Sequence, residues 1–214
     1  MHRSKLTGSV LAAGIVALWS GYANAEEFSA RLTGFNEIGS IPTSVTVTTL
    51  GSATPTSYTG AILTDATGTL QLDLDKKKGT IAYTLTYTGP FTSDVQQAHI
   101  HFGKSRDSGG IVVWLCQTTA RPAPASVAAI TPPCANTPGP GVTVKVSDTI
   151  TAANVLAVPG QNVPAGVFDA ITDAITSHTA YANIHTANFP GGEIRGQVHG
   201  EDREDQDDHH DHHH

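Results

Sequence analysis

The feature that most constrains the fold is a strict alternation of apolar and polar residues on both sides of a short polar turn at residues 76–79. The apolar positions are Leu70, Leu72 and Leu74 before the turn, and Ile81, Tyr83, Leu85 and Tyr87 after it. Successive side chains of a strand point to opposite faces, so a period of two predicts an antiparallel hairpin with one buried face.

Shorter runs of the same kind predict further strands. They lie around Phe28, Val45, Val112 and Val142, and residues rich in glycine, proline and threonine separate them. Several short strands with such punctuation are typical of an antiparallel β-sandwich or barrel. We therefore predict an all-β fold, Greek-key-like, with a minor α-helical part.

One stretch departs from this texture. Eight of the twelve prolines fall between residues 121 and 164, which predicts a long Pro-rich loop or insertion. A short helix is predicted to follow, because Pro164 suits a helix start and Phe168, Ile171 and Ile175 recur at helical spacing.

Residues 1–25 have the pattern of a secretory signal peptide. Arg3 and Lys5 give a basic start, residues 10–19 are an apolar run too short to cross a bilayer, and residues 23–25 form a small-residue cleavage site. We predict export to the periplasm, the cell surface or the medium, with no transmembrane segment in the mature protein. The folded domain is predicted to span residues 26–200.

The charge balance argues against a nucleic-acid partner. Without Arg3 and Lys5, 10 basic side chains remain against 19 acidic ones. Binding to phosphate backbones needs a basic patch, and the sequence offers none.

The last fourteen residues, 201–214, form a separate acidic and histidine-rich segment that is predicted to be disordered. Its histidines are His209, His210, His212, His213 and His214. Imidazoles among carboxylates are predicted to bind Cu(II), Ni(II) or Zn(II). Asp211 interrupts the histidine run and argues against a plain purification tag, although a modified engineered end also fits.

The two cysteines, Cys116 and Cys134, are predicted to form a structural disulfide. An oxidising compartment outside the cytoplasm favours that bond. A metal site built on both cysteines would need a histidine nearby, and no histidine lies between them.

Two histidine-bearing segments supply the candidate site. His99 and His101 occupy alternate positions of one predicted strand, as do Asn183 and His185 of another, so each pair shares a face. If the strands are neighbours, three imidazoles converge on the outer face of the sheet, under the Pro-rich loop. Imidazole suits copper and zinc, so His99, His101 and His185 are predicted metal ligands, against the alternative that they are solvated or structural.

Three polar residues are candidates for orienting those ligands. Asn183 and Glu193 are placed to hold an imidazole N–H, and Arg195 shares a face with Glu193 on the last long strand. The competing interpretation is that Glu193 and Arg195 only fix the register of that strand.

The motifs carry a family resemblance. Residues 98–103 read Ala-His-Ile-His-Phe-Gly, and residues 181–197 contain Tyr-Ala-Asn-Ile-His-Thr followed by Phe-Pro-Gly-Gly-Glu-Ile-Arg-Gly-Gln. With residues 28–37, these segments resemble the CHRD domain, named for chordin and widespread in exported bacterial proteins. The resemblance covers nearly all of residues 27–199. It implies an exported module; animal members are associated with binding secreted signalling factors, which suggests a protein or cell-surface partner.

A looser likeness is to copper-zinc superoxide dismutases, which also place a His-x-His pair outside a β-sandwich and anchor a long loop with a disulfide. By that likeness His99, His101 and His185 correspond to copper ligands, whereas a further copper histidine and a zinc subsite have no clear counterpart. The sequence thus supports a copper- or zinc-binding protein first, a non-catalytic CHRD binding module second, and a dismutase-like copper enzyme third. A binding protein is favoured over an enzyme.

Overall fold

The computed structural model describes residues 25–41, 46–49, 52–55, 58–135 and 137–200. The predicted signal peptide, apart from its last residue, and the predicted acidic tail lie outside the described residues.

Strands dominate the described part of the chain. The strands are β1 (Glu26–Thr33), β2 (Ser40–Ile41), β3 (Thr46–Thr49), β4 (Ser52–Pro55), β5 (Tyr58–Thr59), β6 (Thr67–Asp75), β7 (Thr80–Thr88), β8 (Val95–Phe102), β9 (Gly110–Cys116), β10 (Thr143–Ile150), β11 (Ala180–Thr186), β12 (Ile194–Gln197) and β13 (His199–Gly200). The α-helix is α1 (Phe168–Thr176), and short 3-10 helices span Gly34–Asn36, Ala128–Ile130, Ala152–Asn154 and Pro159–Gln161.

The main sheet is antiparallel and nearly closed. Its strand order is β10-β7-β6-β1-β12-β11-β8-β9, with β13 paired to β1, and the edge strands β9 and β10 contact each other. The Tyr83 hydroxyl on β7 donates a hydrogen bond to the Leu115 carbonyl on β9 at 2.6 Å, which ties the two ends of the sheet together. The all-β prediction is confirmed, in the form of a barrel-like sheet.

The predicted hairpin is β6 and β7. Leu70 lies opposite Leu85 and Leu72 opposite Tyr83, and all four side chains are buried. Gly79 has φ of 65°, a conformation that glycine adopts without the penalty a Cβ imposes, and it completes the turn. The period of two therefore identified both the strands and their buried face.

Helix α1 has the predicted apolar face, but it begins at Phe168 rather than at Pro164. Ile171, Ala174 and Ile175 pack into the same core cluster as the sheet, while Asp169 and Asp173 are exposed. In the described part of the chain, we find no helix with the length and apolar character needed to span a membrane.

The Pro-rich stretch at 121–164 contains β10 and three of the 3-10 helices. Its first part is tied to the end of β9 by the Cys116–Cys134 disulfide and by the Gln117 side chain, whose Nε2 donates to the carbonyls of Ala128 and Thr131. Ala123, Val127 and their neighbours pack against Trp114 of β9 in a second, smaller apolar cluster. The loop is thereby seated on the outer face of the sheet.

Removing the disulfide is expected to destabilise the fold. The bond joins residues 18 apart, and closing a loop of this length lowers the entropy of the unfolded chain by an amount worth about 3 kcal/mol. We expect the Cys116→Ala/Cys134→Ala variant to lose about that much free energy of unfolding in urea titrations. Reduced wild-type protein serves as the control, and a loss below about 1 kcal/mol in both would contradict the prediction.

Candidate metal centre

Two adjacent strands bring the histidines together. In the β8–β11 pairing, Asn183 lies opposite His99 and Tyr181 lies opposite His101, while His185 follows two residues after Asn183. The alternating positions, such as Ile100, point into the core. The parity argument from the sequence therefore describes these two strands correctly.

The three imidazoles form one compact and buried group. Ligand-type nitrogens of His99, His101 and His185 all lie within 4.8 Å of one another. His99 Nδ1 is 3.1 Å from His185 Nε2. The side chains are 0, 7 and 6% exposed respectively, so the group is shielded from solvent although it lies on the side of the sheet away from the main core.

Backbone carbonyls lie within hydrogen-bond distance of Nδ1 on two of the rings. His101 Nδ1 donates to the Gly109 carbonyl at 2.9 Å, and His185 Nδ1 donates to the Pro190 carbonyl at 3.0 Å. A neutral imidazole carries one proton, so a ring that donates from Nδ1 is left with a bare lone pair on Nε2. This is the tautomer that metal-ligating histidines adopt when their second nitrogen is held by a carbonyl.

Two of the ring nitrogens have no partner. His99 Nε2 and His101 Nε2 are buried and make no hydrogen bond to any described residue. His185 Nε2 lies 2.9 Å from the Asn183 side-chain oxygen, which can only accept, and 3.1 Å from His99 Nδ1, which can donate to its lone pair. A buried polar atom without a partner costs about 1–3 kcal/mol, so two of them in one cluster require an explanation.

Burial keeps the rings neutral. Desolvation lowers the pKa of His99 well below its ordinary value of 6.5, with further lowering from the neighbouring His185 and His101. Desolvation also lowers the pKa of His101 to about 4 and that of His185 to about 3. At neutral pH the lone pairs are therefore not blocked by protons.

The same shifts predict a loss of stability in acid. Below pH 6.5 the three histidines bind protons in the unfolded chain but stay neutral in the folded metal-free protein. The free energy of unfolding therefore falls by about 1.4 kcal/mol per pH unit for each histidine. For His101 the fall continues to pH about 4, and for His185 to pH about 3. Urea titrations between pH 7 and 5 on metal-free protein measure the slope.

The His185→Asn variant isolates one contribution to that slope. We expect its stability to fall less steeply with acidification, by about 1.4 kcal/mol per pH unit. Coincident slopes for the two proteins would contradict the burial of a neutral His185.

Aromatic side chains pack against the imidazoles. The Trp114 ring meets His99 edge to face at a centroid distance of 4.2 Å, and the Tyr181 ring stacks on His101 at 4.7 Å with an interplanar angle of 5°. Trp114 also packs against Ala123 and Val127 of the Pro-rich stretch, so it lies between that stretch and His99. These contacts restrict the orientation of both rings.

Arg195 lies beside the histidine cluster and contacts Tyr181 and the loop after β8. Its Cζ lies 3.3 Å from the centroid of the Tyr181 ring, and its Nη2 donates to the carbonyls of Lys104 and Asp107. The Tyr181 hydroxyl in turn accepts a hydrogen bond from the Gly109 N–H at 3.2 Å. Arg195 and Tyr181 thus fix the loop that supplies the carbonyl partner of His101.

Glu193 has a different environment. Its buried carboxylate accepts hydrogen bonds from the Thr64 hydroxyl, from the backbone N–H and hydroxyl of Thr92, and from the Thr186 hydroxyl. These bonds tie residues 186–193 to Thr64 and Thr92, which are distant in sequence. The hydrogen bonds of Glu193 go to threonines and backbone rather than to the histidines.

Several residues of the centre were missed by sequence reasoning. Gly109 and Pro190 act through carbonyl groups, which no residue type reveals, and Trp114 lies on a strand that was predicted without a site role. Glu37 is buried near Asn183: its Oε1 accepts from the N–H groups of Ile38 and Gly39, while its Oε2 has no partner among the described residues. Desolvation raises the pKa of Glu37. Its position within the motif of residues 28–37 was the available signal.

The fold and the site define a class: a nearly closed antiparallel β-barrel that carries a buried cluster of three histidines on its outer face. The family model for the CHRD domain matches residues 28–198, and the chain belongs to the CHRD domain family. No curated protein and no solved structure matches the chain significantly. Within the described residues, the group of side chains that could hold a metal ion consists of His99, His101 and His185 alone.

Proposed function

We propose that this is an exported metal-binding protein that holds one copper or zinc ion through His99, His101 and His185. The observation that carries the proposal is the pair of buried Nε2 atoms, on His99 and His101, that have no hydrogen-bond partner. An ion at the cluster would satisfy lone pairs that otherwise cost stability.

The donor set suits such an ion, and the spacing comes close to what one requires. Metal–nitrogen bonds of 2.0–2.1 Å in a tetrahedral site separate neighbouring nitrogens by about 3.3 Å. The 3.1 Å contact joins His99 Nδ1, not its unpartnered Nε2, to His185 Nε2, and the ligand nitrogens of the cluster lie up to 4.8 Å apart. The His99 ring would therefore need to turn or move for its Nε2 to share an ion with His101 and His185. Neutral imidazoles are ligands that copper and zinc both accept.

Three protein ligands leave one coordination position for water or another small molecule. The carbonyls of Gly109 and Pro190 would orient His101 and His185, and the Asn183 amide would contact His185. The acidic tail would act as a second, weaker collector of the same metals.

Equilibrium dialysis with metal analysis tests the proposal. To remove the contribution of the tail, we specify a full-length tail variant in which the five tail histidines, His209, His210, His212, His213 and His214, are replaced with alanine. We expect this tail variant to retain about one copper or zinc ion per chain after dialysis. Absence of stoichiometric metal would favour the alternative, a binding module for a protein or surface partner with structural histidines.

A dismutase assay on the copper-loaded tail variant separates metal binding from enzymatic activity. We expect activity no higher than that of free copper, because the cluster lacks the fourth histidine and the zinc subsite of those enzymes within the described residues. Activity clearly above that of free copper would instead support the dismutase-like alternative.

Export is supported by the Cys116–Cys134 disulfide, since such bonds persist in oxidising compartments. The N-terminal sequence of protein recovered from the periplasm, cell surface or medium is expected to begin at Glu26. Recovery only from the cytoplasm, with Met1 retained, would contradict export.

A further inference from the structure

A second site lies next to the histidine cluster and is built from arginines. A cavity of about 620 Å³ opens on the outer face of the barrel, and none of its lining residues is acidic. Its lining includes Arg31, Phe35, Arg106 and Arg195. Cavities of this size are typical of small-molecule sites.

The three arginines of the cavity come from separate elements: Arg31 from β1, Arg106 from the loop after β8, and Arg195 from β12. Within the described residues none of them has a carboxylate within 4.0 Å, since the ion pairs found there join Lys76 to Glu26 and Lys78 to Asp75. Three guanidinium groups around one cavity without salt bridges leave an excess of positive charge.

Arg195 makes the strongest case. Its side chain is only 2% exposed, and a buried charge is normally paired. The hydrogen bonds to the carbonyls of Lys104 and Asp107 both use Nη2, and the guanidinium packs on the Tyr181 ring while Arg195 also lines the cavity. The nearby carboxylates of Glu37 and Asp107 attract the guanidinium electrostatically without forming a direct pair.

The rim of the cavity also presents an aromatic surface. Phe35 lines the cavity and is 70% exposed, so its ring is open to contact with a ligand. The 3-10 helix that carries Phe35 packs closely against the segment around Ile62. At Gly34 a Cβ would collide with the Ile62 carbonyl oxygen. Phe35 is therefore held at the cavity by the backbone around it.

We propose that this cavity binds a small organic anion with a dianionic oxygen head group, which the arginines contact, and an apolar part that packs on Phe35. Guanidinium forks recognise carboxylate and phosphate oxygens in bidentate geometry. The site is separate from the histidine cluster, and Tyr181 lies between them, in contact with His101 on one side and Arg195 on the other.

Calorimetric titration of the full-length, metal-free protein with phenyl phosphate tests the proposal. We expect saturable binding with a Kd below about 1 mM that weakens as NaCl is raised. Inorganic phosphate should bind more weakly because it makes no contact with Phe35, and uncharged phenol should not bind. No saturable binding of phenyl phosphate, or equal binding of phenol, would overturn the proposal.

Substitutions of the exposed cavity residues Arg31 and Arg106 locate the site and are expected to leave the fold intact. Arg31→Gln and Arg106→Gln should each weaken phenyl phosphate binding by about tenfold or more. Arg121→Gln is the matched control, because Arg121 is exposed, lies outside the cavity and contacts Gln96. Binding that is unchanged in the two cavity variants, or reduced as much in the control, would overturn the assignment. Because metal is absent, this result is independent of the histidine proposal.

Discussion

Replacing His99 or His185 with alanine in the tail variant is expected to weaken copper or zinc binding by more than about 100-fold. Loss of a residue that merely orients a ligand costs 10–100-fold in metal affinity, and loss of a ligand exceeds that. Both side chains are buried and contribute nitrogens to the cluster, with His99 Nδ1 and His185 Nε2 only 3.1 Å apart. Competition titration against a chelator of known affinity measures the change.

A matched control uses a histidine outside the cluster. His178 is exposed and has φ of 57°, a conformation that asparagine tolerates, so His178→Asn should leave both affinity and stability close to those of the parent. Circular dichroism confirms that each alanine variant is folded. Unchanged metal affinity in a folded His99→Ala or His185→Ala protein would refute their assignment as ligands.

The Glu193→Ala variant is expected to lose at least about 3 kcal/mol of free energy of unfolding. Glu193 is fully buried, and its carboxylate accepts four hydrogen bonds from Thr64, Thr92 and Thr186. Hydrogen bonds to a charged group contribute about 1.5–3 kcal/mol each, and the substitution leaves the buried donors without an acceptor. Chemical denaturation at pH 7 measures the loss.

Glu27→Ala is the control for that substitution. Glu27 is an exposed glutamate on β1, and replacing it should change stability by no more than about 0.5 kcal/mol. Similar effects of the two substitutions would mean that the threonine network around Glu193 contributes little. The comparison also separates a structural role for Glu193 from any role at the histidines.

Local periodicity could predict much of the fold. The hairpin of β6 and β7, the core-facing positions of β8 and the apolar side of α1 all follow from alternation or helical spacing. Closure of the sheet depends on contacts between residues far apart in sequence, such as the hydrogen bond from Tyr83 to Leu115, and no local pattern encodes it.

The candidate site was predictable in part for the same reason. Strand parity places His99, His101 and His185 on one side of the sheet, and pairing of β8 with β11 then brings them together. Their burial could not be predicted, because it depends on how Trp114, Tyr181 and the surrounding loops pack over the outer face. The carbonyl partners at Gly109 and Pro190 are equally invisible in sequence.

The polar residues predicted to orient the imidazoles show where parity alone falls short. Of Asn183 on β11 and Glu193 and Arg195 at β12, only Asn183 lies beside an imidazole nitrogen. Glu193 bonds to threonines, and Arg195 stacks on Tyr181 and holds the loop carbonyls of Lys104 and Asp107. Long side chains reach past their immediate neighbours, so the choice of partner depends on the three-dimensional packing.

The most direct test of the histidine cluster is anomalous diffraction at the copper and zinc absorption edges from crystals of the metal-loaded tail variant. We expect one anomalous peak, with a nitrogen of each of His99, His101 and His185 within about 2.0–2.1 Å of it. The proposed function would be contradicted if crystals grown with saturating copper or zinc showed no anomalous peak at the cluster and the Nε2 atoms were instead hydrogen-bonded to water at about 2.9 Å.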